Sequence, residues 1–315
     1  MAAGSVLRID VATVEAVGLL ADEGIPSILL KGPSFARWLY SDPRDRPYAD
    51  TDLLISPDDL GKARDVLARH GFTAPFKGAA HELIHYAEPW LRSSDGAEID
   101  LHHRLPGIAD SETAWRVLSS RTEPMSLRGH QVTILDAPAR ALHVTLHAAQ
   151  HGSGRAPSVR DLERALEVLD DATWADAAAL ARATGAVAAF ESGMRLAQGG
   201  AEVLGRLHVA GSGDSAWALA EILREEEPGE AMVQGLVWFG NVRGIRAKAA
   251  LLAFKAFPPK AVLAAWSPLA RRGVVGLVAA RVWRPVWLVF RAPRAIARYR
   301  RARALQRARA GESEP

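Results

Sequence analysis

Apolar residues in the first part of the chain recur first with a helical period and then as a short continuous run. Val14, Val17 and Leu20 lie at helical spacing and predict a helix over residues 8–23. Residues 27–30, SILL, form an apolar run that follows a Gly and a Pro and is too short for a helix. The pattern therefore predicts a helix followed by a buried strand.

The next segments predict a short helix, a second strand and a longer helix. Gly32 opens a turn, and the helix after it is expected to run through Tyr40. Residues 51–56, TDLLIS, have the apolar and β-branched composition of a strand. Pro57 suits the first position of a helix that runs to His70. This order gives the first part of the chain an α/β character.

A hairpin and a long helical region complete the prediction. Strand-like residues 81–103 contain Asp95-Gly96, a strong signal for a hairpin turn. After Asp136, which can cap a helix, the chain is alanine-rich and helical to about residue 225. The predicted fold class is α+β, with a small mixed sheet, a helical domain and a basic amphipathic helical tail. The predicted boundaries are 1–130 for the α/β core, 131–240 for the helical domain and 241–315 for the tail.

Composition places the chain among ordinary globular proteins. Of its 315 residues, 49% are hydrophobic and 24% are charged, so apolar burial can stabilise a core. The absence of cysteine excludes disulfides and cysteine-bearing metal sites. The first residues lack a basic segment followed by an apolar core, so a cytoplasmic location is expected.

Charge is distributed very unevenly along the chain. Residues 241–310 contain 17 Lys or Arg and no Asp or Glu, which leaves 22 basic and 36 acidic residues elsewhere. Residues 255–310 are therefore expected to dock on a membrane surface or a protein, with nucleic acid less favoured, or to pack on the acidic body of the same chain. Their apolar run is interrupted by Arg281, Arg284 and Pro285, which favours a helix peripheral to a membrane over a spanning one.

Three aspartates are the first candidates for chemistry. Asp50 and Asp52 are separated by one residue, so in a strand they project from the same face. Asp100 lies within AEIDLHH, a second apolar alternation. Acids in apolar strands are costly unless a metal or cationic groups compensate them. Asp50, Asp52 and Asp100 are therefore predicted to hold Mg²⁺, as a pair of ions, together with triphosphate oxygens.

The turn before these acids supplies candidate phosphate contacts. Gly32 and Ser34 stand at the start of a predicted helix, where backbone N–H groups favour an anion. Lys31, Arg44 and Arg46 are candidate cations, and Arg46 is preferred because it lies four residues before Asp50. The acid pair can simply begin a strand after a solvated loop, and Gly-Pro can simply form a turn. Either motif alone would therefore favour a purely structural role. Their order, with a third acid downstream, favours function.

Several histidines are candidates for supporting roles. His102 and His103 follow Asp100 and point to alternate faces of the predicted strand, so one of them is expected to contact the triphosphate. His102 is the preferred candidate for this contact. His143, His147 and His151 share one helical face, a spacing that also suits zinc. No acid accompanies them on that face, so we expect His143 to pack and His147 or His151 to line the cleft.

Asp161 has two interpretations. It is expected to begin a helix, where a carboxylate complements the helix dipole. Alternatively, the preceding loop lines the acceptor side, with Asp161 as an acceptor contact or base and Arg160 as a phosphate contact. The structural interpretation is slightly preferred.

The run LLKGPSFARWLY…RPYADTDLLI…ARHGF…AEIDLHHRL resembles the bacterial uncharacterised nucleotidyltransferases of the DNA polymerase beta-like superfamily. That superfamily's pattern is a glycine turn, an Asp-hydrophobic-Asp pair and a third carboxylate on a later strand. Gly32 falls on the glycine, Asp50 and Asp52 on the pair, and Asp100 on the third acid. Pro33 replaces a small residue, and a Thr separates the paired acids.

The resemblance implies transfer of a nucleoside monophosphate, with AMP from ATP as the first choice, to a hydroxyl acceptor on a small molecule, peptide or protein. Asp50 and Asp52 would bind both ions, and Asp100 the ion that activates the acceptor. One alternative is a non-catalytic nucleotide- or partner-binding regulatory protein, antitoxin-like, that docks through its basic tail. Nucleic-acid end modification is less favoured, because the sequence has no recognisable aromatic platform for single strands.

Overall fold

The computed structural model describes residues 2–74, 86–108, 110–152, 156–209, 215–226 and 244–311. The chain divides into two compact units, one of Met1–Ala74 with Tyr86–Gly211, the other of Pro75–His85 with Ser212–Pro315. The strands all belong to the first unit and are β1 (Ser27–Leu29), β2 (Thr51–Ile55), β3 (Ala87–Arg92), β4 (Ala97–His102), β5 (Thr122–Leu127) and β6 (His130–Leu135).

The helices of the first unit are α1 (Ala2–Asp22), α2 (Pro33–Leu39), α3 (Leu60–Arg69), α4 (Ser111–Leu118), α5 (Ala137–His151), α6 (Ala156–Val168), α7 (Asp171–Ala183), α8 (Val187–Met194) and α9 (Gly200–Arg206). The described residues of the second unit contain the helices α10 (Ala216–Glu226), α11 (Ile245–Ala256), α12 (Lys260–Trp266) and α13 (Gly273–Gly311).

The strands form one six-stranded mixed sheet in the order β3-β4-β2-β1-β6-β5. β2 pairs parallel with β4 and antiparallel with β1, and β1 pairs parallel with β6. The two outer pairs, β3/β4 and β5/β6, are antiparallel hairpins. The predicted α+β fold with a small mixed sheet is therefore confirmed.

Alternation along the central strands separates an apolar face from a polar one. Leu53 of β2 and Leu101 of β4 are buried in one cluster with Leu20 of α1 and Leu67 of α3. Because successive strand residues point to opposite faces, the positions between them, which include Asp52, face away from that cluster. The apolar face fixes the register of the strands and with it the placement of the acids.

The predicted elements recur with changes of boundary. α1 begins well before residue 8, and α3 begins at Leu60 instead of Pro57. The later start has a local cause, since Ser56 Oγ accepts a hydrogen bond from Asp58 N and holds a turn ahead of the helix. Of the predicted strand-like residues 81–103, positions 81–85 lie outside the described residues.

The β5/β6 hairpin is an element that the sequence pattern did not reveal. Its two-residue turn consists of Arg128 and Gly129, with φ angles of 54° and 83°. Two central residues with positive φ match the twist of the flanking strands, but Asn-Gly is the usual sequence for such a turn. β6 leads directly into α5, where Asp136 caps the helix as predicted by accepting a hydrogen bond from Ala139 N.

The rest of the first unit is helical and is built around α5, which packs against α6, α7 and α8. α8 approaches α5 closely at Gly193, where an added Cβ would lie 2.2 Å from the carbonyl oxygen of Thr145. Trp174 of α7 and Phe190 of α8 are buried with ring centroids 6.4 Å apart. These contacts hold α5, α7 and α8 together.

The second unit is helical in its described part. α10 packs on α13 through Leu219, Ile222 and Ala295, and α12 packs on α13 through Leu263 and Ala280. Among the described helices, one stretch, Gly273–Ala308, is long and apolar enough to cross a membrane, with a mean hydropathy of 1.4 over an 18-residue window. Length and composition thus leave open the spanning role that the sequence interpretation set aside. The predicted domain boundaries stay predictions.

Candidate metal centre

Asp52 and Asp100 stand side by side at the middle of the sheet. In the parallel pairing of β2 and β4, Asp52 is opposite Asp100, and Leu54 is opposite His102. Residues paired in this way project from the same face, and His102 follows Asp100 by two positions. One ligand atom from each of Asp52, Asp100 and His102 lies within 4.8 Å of the others.

The polar atoms of this group are only partly satisfied. Oδ1 of Asp52 lies 2.7 Å from Lys31 Nζ and 2.8 Å from His102 Nε2. Oδ2 of Asp52, Oδ1 of Asp100 and Nδ1 of His102 are buried and have no hydrogen-bond partner within the described part of the chain. Buried carboxylate oxygens without a donor are costly. Two carboxylates and an imidazole whose lone pairs are not engaged in hydrogen bonds are a donor set that fits a divalent cation.

Lys31 and Asp52 form a buried ion pair. Burial alone raises the pKa of Asp52, but the Lys31 ammonium and then His102 outweigh it and hold that pKa below its usual range. Burial likewise lowers the pKa of Lys31, and the charges of Asp52 and Asp50 reverse the effect and raise it. Each group therefore keeps the other ionised.

The other two acids are held closer to their neutral forms. Burial and then the charge of Asp52 raise the pKa of Asp100 to about 6. The same two causes, in the same order, raise the pKa of Asp50. Crowded carboxylates repel one another, and a cation placed among them would favour their ionised forms.

Asp50 occupies the edge of the site. It precedes β2, its side chain is 35% exposed, and its Oδ2 lies 3.9 Å from Lys31 Nζ. The group of three ligand atoms contains His102 in place of Asp50, whereas the sequence interpretation gave His102 a triphosphate contact and Asp50 a metal. The two-residue spacing from Asp100 to His102 is the signal that identifies His102 as a potential ligand.

The glycine turn lies beside these acids. Gly32 has φ 63° and ψ −114°, a conformation open mainly to glycine, and directly precedes α2. A Cβ on Gly32 would lie 3.5 Å from the carbonyl oxygen of Asp50 and 3.6 Å from the ring of Tyr48. Ser34 Oγ is buried and has no partner among the described residues. The phosphate contacts assigned to Gly32 and Ser34 stay predictions.

Arg46 is engaged with Asp161 rather than free in the cleft. Its Nη2 lies 2.7 Å from Asp161 Oδ2, and its guanidinium stacks over Phe35 at 5.3 Å. Tyr40 OH donates to the other oxygen of Asp161 at 2.8 Å. The helix-dipole interpretation of Asp161 was wrong, because α6 begins at Ala156 and Asp161 lies beyond its first turn. The triphosphate contact of Arg46 stays a prediction.

The remaining candidates are Arg44 and the histidines of α5, and the charges of Lys31 and Asp52 act on the pKa values of His143 and His147. Arg44 pairs with Asp42 at the surface. His143 is buried against Phe35, with ring centroids 5.2 Å apart, so the prediction that it packs is confirmed. Burial, then nearby positive charge, lowers its pKa to about 3. The rings of His147 and His151 lie 4.6 Å apart, and the only described group of three ligands is the one around Asp52.

The family of the chain follows from a family model. Among curated proteins, none matches the chain. One similar solved structure is the crystal structure of an antigenic nucleotidyltransferase-like protein from Paracoccidioides brasiliensis, with 17% identity and a TM-score of 0.34, covering 51% of this chain and 76% of that one. The model of the family described as "Uncharacterised nucleotidyltransferase" matches residues 1–199. Because this match spans more than half of the chain, the protein belongs to the uncharacterised nucleotidyltransferase family, as its glycine turn and three acids predicted.

Proposed function

We propose that the protein is a Mg²⁺-dependent nucleotidyltransferase that moves AMP from ATP to a hydroxyl group on a small molecule, peptide or protein and releases pyrophosphate. Its family supports the reaction class. The observation that carries the proposal is the pairing of Asp52 with Asp100 beside His102, which leaves buried oxygens of both acids without a donor in the described structure. A cytoplasmic location belongs to the same proposal, since ATP would be the substrate.

In this proposal the three aspartates of the site bind Mg²⁺. Asp50, Asp52 and Asp100 would hold a pair of ions, because Mg²⁺ prefers carboxylate and phosphate oxygens. When bound, Mg²⁺ supplies positive charge to the triphosphate and makes an acceptor hydroxyl more acidic. His102 Nε2 meets Asp52 Oδ1 at 2.8 Å, so His102 orients that carboxylate and can add a nitrogen ligand.

Lys31 prepares the site. Its ammonium is 2.7 Å from Asp52 Oδ1 and keeps that acid ionised, which is the form that binds a metal. It is also a cation within reach of the acid cluster, and such a group favours the binding of a polyanionic triphosphate. Gly32 has a positive φ and leads into α2, where its backbone N–H would contact a phosphate. Arg46 would share its charge between Asp161 and the triphosphate.

The decisive experiment is a transfer assay with α-labelled triphosphates. The full-length protein is incubated with each of the four triphosphates and cell extract, in Mg²⁺ or in EDTA, and labelled products are separated. We expect Mg²⁺-dependent label transfer that the double variant Asp50→Asn/Asp52→Asn loses by more than about 100-fold. Asp65→Asn, which removes an exposed carboxylate on α3, is the matched control and should retain transfer.

The result that would refute the proposal is equal transfer by the double variant and the native protein, provided circular dichroism shows that both are folded. The chemical class of the labelled product identifies the acceptor. Transfer of label from a triphosphate other than ATP would change the proposed nucleotide substrate but not the proposed reaction class.

A second candidate is a regulatory protein that binds nucleotide or a partner without turnover. The ion pair of Lys31 with Asp52 favours it, because an ammonium already neutralises the most buried acid of the group. This candidate predicts that a triphosphate raises the melting temperature equally in Mg²⁺ and in EDTA, with no label transfer. Mg²⁺-dependent transfer by the native protein would exclude it.

A further inference from the structure

α13 carries an apolar stripe that faces solvent. The stripe residues are between 39% and 83% exposed, and each lies three or four positions from another member along the helix. They are Val275, Val278, Val282, Val286, Val289 and Phe290, with Trp283 at the edge. Such spacing places them on one face of a helix. We call this set the valine stripe.

The opposite face of α13 is already packed. Ala280 is buried with Leu263 of α12. Gly276 approaches Leu269 so closely that a Cβ would lie 2.2 Å from its carbonyl oxygen. Arg284 donates to the carbonyl oxygen of Lys255 at 3.2 Å, and its guanidinium also stacks on Trp266. The helix therefore cannot turn the valine stripe inward without breaking these contacts.

Basic groups flank the stripe at both ends. Arg271 and Arg272 precede it, and Arg291 and Arg294 follow it, all of them exposed. The apolar part extends about 22 Å along the helix axis. Residues 241–310 contain 17 basic and no acidic residues, so no carboxylate within that segment neutralises these groups.

We propose that the valine stripe inserts into the surface of an anionic phospholipid bilayer while the flanking arginines contact headgroup phosphates. An acidic protein surface would match the arginines but would leave the aliphatic stripe in water. A bilayer surface matches both, because acyl chains lie directly beneath anionic headgroups. This inference is independent of the proposed transfer reaction.

The helix lies in the plane of the membrane rather than across it. Arg281 and Arg284 fall within the apolar part, and a spanning helix would place their guanidinium groups among acyl chains. Arg284 instead lies on the packed face, where it meets Trp266 and Trp287. A helix with one face packed and the other aliphatic fits the boundary between headgroups and acyl chains.

The test is sedimentation of the full-length protein with vesicles. Vesicles of phosphatidylcholine alone are compared with vesicles of about equal parts phosphatidylcholine and phosphatidylglycerol, at low and high salt. We expect binding to the anionic vesicles that weakens with salt. The double variant Val282→Asp/Val289→Asp should reduce partitioning by at least about tenfold. Val11→Asp/Val168→Asp, the same change at exposed valines of α1 and α6, should bind as the native protein does.

Two outcomes overturn the proposal. The first is failure of the native protein to sediment with anionic vesicles, or equal sedimentation of the valine-stripe variant. The second is a native dimer by analytical ultracentrifugation that the valine-stripe variant converts to monomer without vesicle binding, which would assign the stripe to a second copy. Because the substituted valines are exposed, the variants should melt like the native protein, and a thermal melt checks this.

Discussion

Replacing Lys31 by Met is expected to destabilise the fold, although Met retains much of the aliphatic stem. The side chain of Asp52 is 0% exposed, that of Lys31 is 17% exposed, and the two charged atoms are 2.7 Å apart. Removing one partner of a buried ion pair costs about 3–5 kcal/mol. His102 remains as a donor to Asp52, so we expect a loss near the lower limit, about 3 kcal/mol in the free energy of unfolding.

Urea unfolding at pH 7 in EDTA measures this loss. Lys62→Met is the matched control, because Lys62 is 73% exposed and 3.6 Å from Asp59, and it should cost less than about 0.5 kcal/mol. If the free energy of unfolding of Lys31→Met lies within about 0.5 kcal/mol of the native value, the argument that the ammonium stabilises a buried carboxylate fails. The m-value should stay unchanged, since the surface exposed on unfolding is the same.

Acid and metal provide two further checks on the same variant. Lys31 lowers the pKa of Asp52 in the folded state, so its stabilising effect is present above the unfolded pKa of about 3.9 and is lost as the pH falls below it. The difference in the free energy of unfolding between the native protein and the variant should therefore become smaller in acid. Mg²⁺ at 100 times its dissociation constant adds about 2.7 kcal/mol to the free energy of unfolding. We expect a higher dissociation constant in the variant, because Asp52 has lost the ammonium that keeps it ionised.

Three further predictions concern the same unit. Gly32→Ala should cost about 1–3 kcal/mol in urea unfolding because φ is 63°, whereas Gly61→Ala in an open helical position should stabilise, and equal effects would contradict the backbone argument. His143 has a folded pKa of about 3, so its titration alone should remove about 2 kcal/mol from the free energy of unfolding between pH 7 and pH 5 as the unfolded state takes up a proton, and His143→Leu should abolish that contribution. Asp161→Asn should cost about 3 kcal/mol by leaving a mostly buried guanidinium without its carboxylate, whereas Asp171→Asn at an exposed pair should change stability little.

The sequence carries enough to predict the centre of the fold and its acids. β2 and β4 are apolar and bounded by turn residues, and each has an acid at a position that alternates with core leucines. Strand periodicity then places Asp52 and Asp100 on a common face once the two strands are neighbours. The same rule would have added His102 to the metal group, because it lies two residues after Asp100.

Other features could not be predicted because they depend on contacts between distant segments. Arg46 and Asp161 are 115 residues apart, and nothing in either local sequence indicates the pair. The β5 strand has only Leu127 buried, so its apolar alternation is too weak to predict a strand. Its hairpin turn also uses Arg128-Gly129 in place of Asn-Gly, which leaves no turn signal of the usual type.

The buried charge in β2 has an evolutionary consequence. Replacing both members of a buried ion pair by apolar residues of similar size is often neutral or stabilising. Folding alone therefore does not require Lys31 and Asp52, and a gene copy released from selection for activity could exchange both and keep the sheet. Possession of the fold is thus weak grounds for inferring catalysis in a relative. If the proposed reaction is correct, family members that lack the charges at positions 31 and 52 are expected to be inactive.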